Sequence, residues 1–255
     1  MTRFVRYLAN GDSPAWGLLE GDSIRKVSAN PVGPHQPTGD TIGAFEAHLL
    51  APAEPPKIFA VGRNYKSHLG DRPAPKQPEI FFKPITALQN PGGDIVIPQG
   101  AKNVHFEGEL VLVIGKKLKK ADRDEAREAI WGVTCGNDVS ERDWQAGPEK
   151  DLQWWRAKGS DTFAPLGPVV VRGLDYSNLM LETRLNGEVV QRQTTADLLF
   201  DPATIVSYIS ETVTLQPGDL IYTGTPGTTK KMNPGDVIEV EVEGIGILRN
   251  KIVAG

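Results

Sequence analysis

Cysteine is nearly absent from this chain: Cys135 stands alone. That excludes an intrachain disulfide and any metal site built from several thiolates, and it leaves Cys135 to be read as a small buried apolar residue. Long apolar runs are missing too. No stretch approaches the roughly 18 consecutive apolar residues of a membrane helix, and the opening MTRFVRYLANGDSPAWG lacks the apolar centre of a secretory signal. A soluble cytoplasmic protein is the expectation. Basic residues are neither in excess nor clustered, with 28 Lys and Arg against 32 Asp and Glu and a net charge of −4. Without a basic stripe to neutralise a phosphate backbone, nucleic acid is not an expected partner. What remains suffices for a real core: 39% of the 255 residues are apolar and 27 more are glycine. The length suits one large domain, or one with a small appendage.

Along the chain, strand signals dominate. TRFVRYLA, AWGLLEG and DSIRKVSA alternate like short strands, with Asn10-Gly11-Asp12 and Glu20-Gly21-Asp22 as turns between them. Residues 1–52 are read as a small β-module in which TIGAFEAHLL forms one short helix, and the boundary falls at Pro52-Ala-Glu-Pro-Pro56. Residues 53–255 then form the main domain. There KIFAVG, EIFFK, FEGELVLVIG, DLIYTG and DVIEVEVEG are each bounded by glycine, proline or aspartate. Asn186-Gly187, between LETRL and EVVQRQ, supplies the positive φ angles of a two-residue hairpin turn. Pro217-Gly218-Asp219 and Pro234-Gly235-Asp236 punctuate two late strands. Helices are few and short: Asp122 to Ile130, with Asp122 as cap and Glu125 three residues on, and Pro202 to Glu211. The fold class is mostly β with few helices, an α+β arrangement.

Chemistry concentrates in HFEGELVLVIG. Glu107 and Glu109 lie two apart on a strand, so both carboxylates leave the face that also carries Val111 and Val113. Paired carboxylates opening from a buried face need a cation or a shared proton, whereas on an edge strand they would simply face water. Asp138, in Gly136-Asn137-Asp138-Val139-Ser140, is either a third carboxylate on that cation or a cap for the SERDWQ segment. Three oxygen donors with waters suit Mg²⁺ or Mn²⁺; zinc would ask for histidine and cysteine. His105 is a candidate for contacting the ligands from behind. His68 has Asp71 three residues on, a carboxylate that can orient the ring and raise its basicity if the segment is helical, and otherwise it is a surface histidine. His35 and His48 have no such partner. Lys83 emerges from an apolar strand and asks for a buried partner; Lys158 is a second cationic candidate, or is solvated. The turn Thr223-Gly224-Thr225-Pro226-Gly227 offers hydroxyls and N–H groups to a carboxylate.

Together, VGRNYKSH, FFKP, FEGELVLVIG, GNDVSERDWQ, RAKGSDTFAPLGP, NGEVVQ, LQPGDLIYTGTPG and GIGILRN resemble the fumarylacetoacetate hydrolase family, in the family's order from about Lys57 to Val253. The first fifty residues look like the small N-terminal β-domain of its shorter members. The resemblance implies a mixed β-roll, a homodimer, and a divalent metal held by Glu107, Glu109 and Asp138. It places His68 on a mobile lid and matches the family's lysines, glutamine and turn threonine to Lys83, Lys158, Gln145 and Thr225. Asp71 stands where a glutamate is usual, and Pro226-Gly227-Thr228-Thr229-Lys230 departs from the Gly-Val-Gly-like run of many relatives.

The implied substrate is a small 2-oxo acid whose enolate the cation and a lysine stabilise. His68 with Asp71 activating a water gives C–C hydrolysis of an acylpyruvate; without water the same enolate leads to decarboxylation of an oxaloacetate-like acid, or to isomerisation as for 2-hydroxyhepta-2,4-diene-1,7-dioate. A non-catalytic metal- or sugar-binding β-domain is the reading from another class. Substrate choice falls to the surroundings of Arg142, Trp144 and the Trp154-Trp155 pair.

Overall fold

The computed structural model describes residues 1–9 and 13–255, so the expected turn at Asn10-Gly11-Asp12 lies outside the described residues. Two sheets dominate. The larger has twelve strands, and at its middle lies Gly108–Ile114, flanked by Ile130–Asn137 and Leu220–Tyr222. Every residue of Gly108–Ile114 is buried. This follows from its near-continuous Leu, Val and Ile content, the pattern of a strand covered on both faces. Leu110, Leu112 and Ile114 pack with Leu181, Val240 and Leu248 of the second sheet and with Ile205 and Ile209 of a helix. Each such side chain contributes about 1.5–3 kcal/mol by leaving water. The opposite face turns Val111 and Val113 toward Ala60, Phe81, Leu166 and Tyr222. Glu107 and Glu109 continue that second row, as their spacing predicts.

The second sheet runs Glu188–Thr194, Met180–Leu185, Val237–Val242, Gly246–Ala254 and Asp94–Ile97. Its hairpin turns at Asn186-Gly187, whose φ values of 53° and 84° are those a type I′ turn demands. The helix Arg123–Ala129 begins at Asp122, which accepts from the N–H groups of Asp124 and Glu125 while Glu125 reaches back to the Asp122 N–H. The helix Pro202–Thr212 begins with proline in its first turn and Asp201 accepting from Thr204 N–H at 2.8 Å. Among the described residues no helix is long and apolar enough to cross a membrane.

Residues 2–50 extend the large sheet, because Thr2–Ala9 pairs antiparallel with Ala164–Arg172. The helix expected over TIGAFEAHLL is not formed. The segment is instead the end of the strand Pro37–Gly43, a single 3-10 turn at Ala44–Glu46, and the strand Ala47–Leu50. The free edge of Thr2–Ala9 takes Ala47–Leu50 as a ladder, Arg6 opposite Leu50. A helix there would have left that edge open and still not buried Phe45, which is 88% exposed. Cys135 is buried as expected, and burial pushes its thiol up to about 12, so it packs rather than reacts.

Candidate metal centre and its cavity

Strand register builds the site. Gly108 pairs with Asn137, which brings the residue before one strand's start beside the residue after the other's end: Glu107 beside Asp138. Asp138 N–H donates to the Glu107 carbonyl at 2.8 Å, and Glu107 N–H donates to Asn137 Oδ1 at 2.9 Å. Oxygens of Glu107, Glu109 and Asp138 all lie within 4.8 Å of one another, and the three residues are buried. The helix cap expected as Asp138's other role belongs to Glu141, which accepts from Trp144 N–H at 2.7 Å and opens the short helix Arg142–Ala146.

Buried charge of one sign is costly unless paired. Lys158 bridges Glu107 and Asp138 at 2.6 Å each, Lys83 donates to Asp138 at 2.5 Å, and Arg142 donates to Glu107 at 2.6 Å. Burial alone would raise Glu107, but Lys158, Arg142 and His68 outweigh it and hold its carboxyl well below the usual range. Lys158 is raised, because Asp138 and Glu107 overcome a larger opposing effect of burial shared with Arg142. Lys83 is lowered: burial dominates, and Asp138 repays only part.

Glu109 differs from its neighbours. Glu107 and Asp138 each touch two cations, whereas Glu109 accepts one hydrogen bond, from Gly224 N–H at 2.7 Å. Gly224 presents that N–H from φ 108°, and a Cβ there would lie 2.7 Å from the Asn64 side chain. Burial, Asp138 and Glu107 therefore push the Glu109 carboxyl well above its ordinary value. A buried, undercompensated carboxylate beside two others is a donor set that fits a divalent cation.

His68, Arg142, Lys158, Gln145 and Thr229 line a cavity of about 690 Å³, with Phe81 and Trp154 as an aromatic wall. Arg142, Lys158 and His68 thus join the cavity to the carboxylates. His68 ends a 3-10 turn, Lys66–His68; its Nδ1 lies 2.6 Å from the Gly227 carbonyl and its Nε2 3.9 Å from Glu107 Oε1. A carbonyl only accepts, so Nδ1 carries a hydrogen, and Nε2 is the nitrogen turned toward Glu107. Asp71 does not orient this ring. It lies exposed and without a hydrogen bond to His68, because the 3-10 turn ends at His68 and no helix carries Asp71 back over it.

Thr225 is also placed differently from its expected role. Its hydroxyl donates to the Gly108 carbonyl at 2.9 Å and accepts from Gln191 at 2.9 Å, so it ties the turn to the carboxylate strand and has no proton to give a substrate. Gln145 accepts from Arg142 at 2.7 Å. The tryptophans divide: Trp144 is buried under Arg156, Trp154 meets Phe81 edge-on at the cavity wall, and Trp155 is 66% exposed. His105 stands behind Arg142 through Thr229, and burial with Arg142 nearby lowers it to about 4, leaving it neutral. Asn64 was not singled out by sequence, although it precedes Tyr65 in the motif that carries His68. Its side chain donates to the Thr223 and Phe200 carbonyls at 2.7 and 3.0 Å and accepts from Phe200 N–H at 2.8 Å, fastening the His68 segment to the turn.

A fold of this kind around a carboxylate cluster has known counterparts. The fumarylacetoacetate (FAA) hydrolase C-terminal family model matches residues 57–253, and an Rv2993c-like N-terminal model matches residues 2–52. The chain belongs to the fumarylacetoacetate hydrolase family. It is 41% identical over 259 residues to Protein Rv2993c of Mycobacterium tuberculosis, covering 96% of each. It is 39% identical over 221 residues to oxaloacetate tautomerase FAHD2A, mitochondrial, of Bos taurus, covering 82% of this chain and 70% of that one. Among solved structures, 5-carboxymethyl-2-hydroxymuconate delta-isomerase from Mycobacterium smegmatis matches with a TM-score of 0.93 at 43% identity, covering 99% of this chain and 100% of that one.

Proposed function

We propose that this chain is a divalent-cation-dependent enzyme that moves a proton on a small 2-oxo acid, a tautomerase or isomerase. The observation that carries the reading is the convergence of His68, Arg142 and Lys158 on one cavity beside the buried Glu107, Glu109 and Asp138. These three carboxylates would hold the cation, and their oxygen donors favour Mg²⁺ or Mn²⁺. Such a cation would supply Lewis-acid stabilisation of the negative charge that enolisation places on the 2-oxo oxygen.

The chain's own residues do the rest. Arg142 lies at the cavity wall, where its guanidinium suits the substrate carboxylate. Lys158 offers an ammonium to the developing enolate. His68 Nε2 is directed at this corner and, in its unprotonated form, takes the proton from the carbon next to the carbonyl, a role worth about 10²–10⁴ in rate. The same ring returns the proton to another atom, which completes a tautomerisation or double-bond shift. Phe81 and Trp154 give that wall an apolar, aromatic surface.

Hydrolysis or decarboxylation uses the same enolate but draws on different machinery. Hydrolysis would need a water activated by a histidine with an orienting carboxylate, and His68 is oriented by a carbonyl instead. The relatives' names, a tautomerase and an isomerase, support the same preference. We also infer a homodimer, on the family resemblance, which light scattering would test.

The deciding experiment follows the enol and keto absorbance of oxaloacetate together with release of carbon dioxide, with Mn²⁺ and again with chelator. Chelator-sensitive enol–keto conversion without carbon dioxide supports the reading. Carbon dioxide release moves the assignment to decarboxylation, and full activity in chelator or in Glu107→Ala ends it.

A further inference from the structure

A chain of hydrogen bonds leads away from Arg142, through Thr229 at the cavity wall and His105 behind it, to Asn103 and Asp143, which lie outside the site described above. Asp143 Oδ1 accepts from Asn103 Nδ2 at 3.1 Å. A carboxylate oxygen accepts, so the Asn103 amide turns its nitrogen to Asp143 and its oxygen the other way. That oxygen lies 2.8 Å from His105 Nε2, which therefore carries the hydrogen. His105 Nδ1 is left to accept, and Thr229 Oγ1 is 2.9 Å from it. With its proton on His105, the Thr229 hydroxyl presents a lone pair to Arg142 Nη2, which donates to it at 2.8 Å. The same Nη2 donates to Glu107 Oε1 at 2.6 Å, and Nη1 donates to Gln145 at 2.7 Å. Each hydrogen in the series has one acceptor, the two on Arg142 Nη2 going to Thr229 and Glu107, and the polarity of the whole series is set at Asp143.

The backbone that carries Asn103 is fixed, because its own N–H and that of Lys102 both donate to Glu141 Oε1, at 2.7 and 3.1 Å. Glu141 in turn caps the helix that carries Arg142. One carboxylate thus fixes both the base of the arginine and the start of the relay that reaches its tip. Thr229 is the element supplied from elsewhere, by the stretch Gly227-Thr228-Thr229-Lys230.

We propose that Thr229 is a positioning residue: with His105 and Asn103 behind it, its hydroxyl holds the Arg142 guanidinium so that its remaining N–H groups face the cavity. Held this way, Arg142 meets a carboxylate in a fixed orientation instead of sampling rotamers, and the ordering cost is met by folding. The role of Arg142 as anion anchor rests on the proposed function; its fixation by Thr229 does not.

Two readouts keep these apart. In the metal-free protein labelled with ¹⁵N-arginine, and with Arg142→Lys for assignment, the Arg142 guanidinium signals are expected to be resolved in the wild type. They broaden or average in Thr229→Val, which keeps the shape and removes the hydroxyl, and return in Thr229→Ser. In turnover of oxaloacetate with Mn²⁺, Thr229→Val is expected to raise KM about tenfold, with kcat changed less than about threefold, and Thr229→Ser restores KM. Unchanged guanidinium signals in a folded Thr229→Val protein overturn the proposal, as does failure of serine to restore them. A wild type inactive on every 2-oxo acid would overturn the functional reading while the guanidinium signals still decide the proposal.

Discussion

The two walls of the cavity are held in different ways. The carboxylate wall stands on paired strands buried on both faces, with Glu107, Glu109 and Asp138 at 5%, 1% and 1% exposure. The opposite wall carries His68 on one 3-10 turn whose following residues, from Gly70 to Ala74, are exposed. One side fixes charge on paired strands; the other presents His68 from a single short turn fastened through Asn64 and Gly227. Local stability is low where few contacts and exposed backbone coincide, as in segments that close over ligands.

The largest effect should come from the rigid wall. Glu107→Ala strips Lys158 and Arg142 of their shared carboxylate, and breaking such a buried pair costs about 3–5 kcal/mol. Thermal unfolding should fall accordingly, and calorimetry should find Mn²⁺ binding lost. Retention of both would remove the contrast between the walls. On the His68 wall, His68→Gln should lower kcat about 10²–10⁴-fold with melting temperature and Mn²⁺ binding kept. Asp71→Asn should stay within about threefold of wild type; a loss as large as that of His68→Gln would mean that the two residues act together and that the histidine wall is organised otherwise.

Leu112→Ala, on the other face of the carboxylate strand, should cost about 2–5 kcal/mol in chemical denaturation without altering the pH profile. The pH dependence of metal binding sharpens the comparison further. Burial and two carboxylates raise Glu109, so the free protein keeps a proton there to higher pH than an ordinary carboxyl would, and a cation binding in that range must displace it. Mn²⁺ affinity should therefore rise with pH until Glu109 ionises unaided, and Glu109→Gln should remove that dependence along with most of the affinity. At the small end, Gly187→Ala in the hairpin should cost about 1 kcal/mol, since its φ is 84° and nothing crowds a Cβ there.

Local chemistry explains what was legible beforehand. The alternation in FEGELVLVIG placed Glu107 and Glu109 on one face with Val111 and Val113, and that is where they lie. Capping at Asp122 and the Asn186-Gly187 turn were equally readable, because each depends on residues within a few positions. The helix expected at TIGAFEAHLL failed for the converse reason: the edge it pairs with lies some forty residues earlier. Asp71 failed because its pairing assumed a helix that a 3-10 turn does not continue.

By itself the sequence determined the family, the strand at which the paired glutamates stand and the donor types that suit a hard cation, since motif, alternation and side-chain chemistry are properties of short stretches. Only the tertiary structure decided which cation neutralises which carboxylate, that Glu109 is left undercompensated, and that Gly227 rather than Asp71 orients His68. Those outcomes depend on strand register and on a turn folded back from more than a hundred residues away, and distance along the chain carries no record of distance in space.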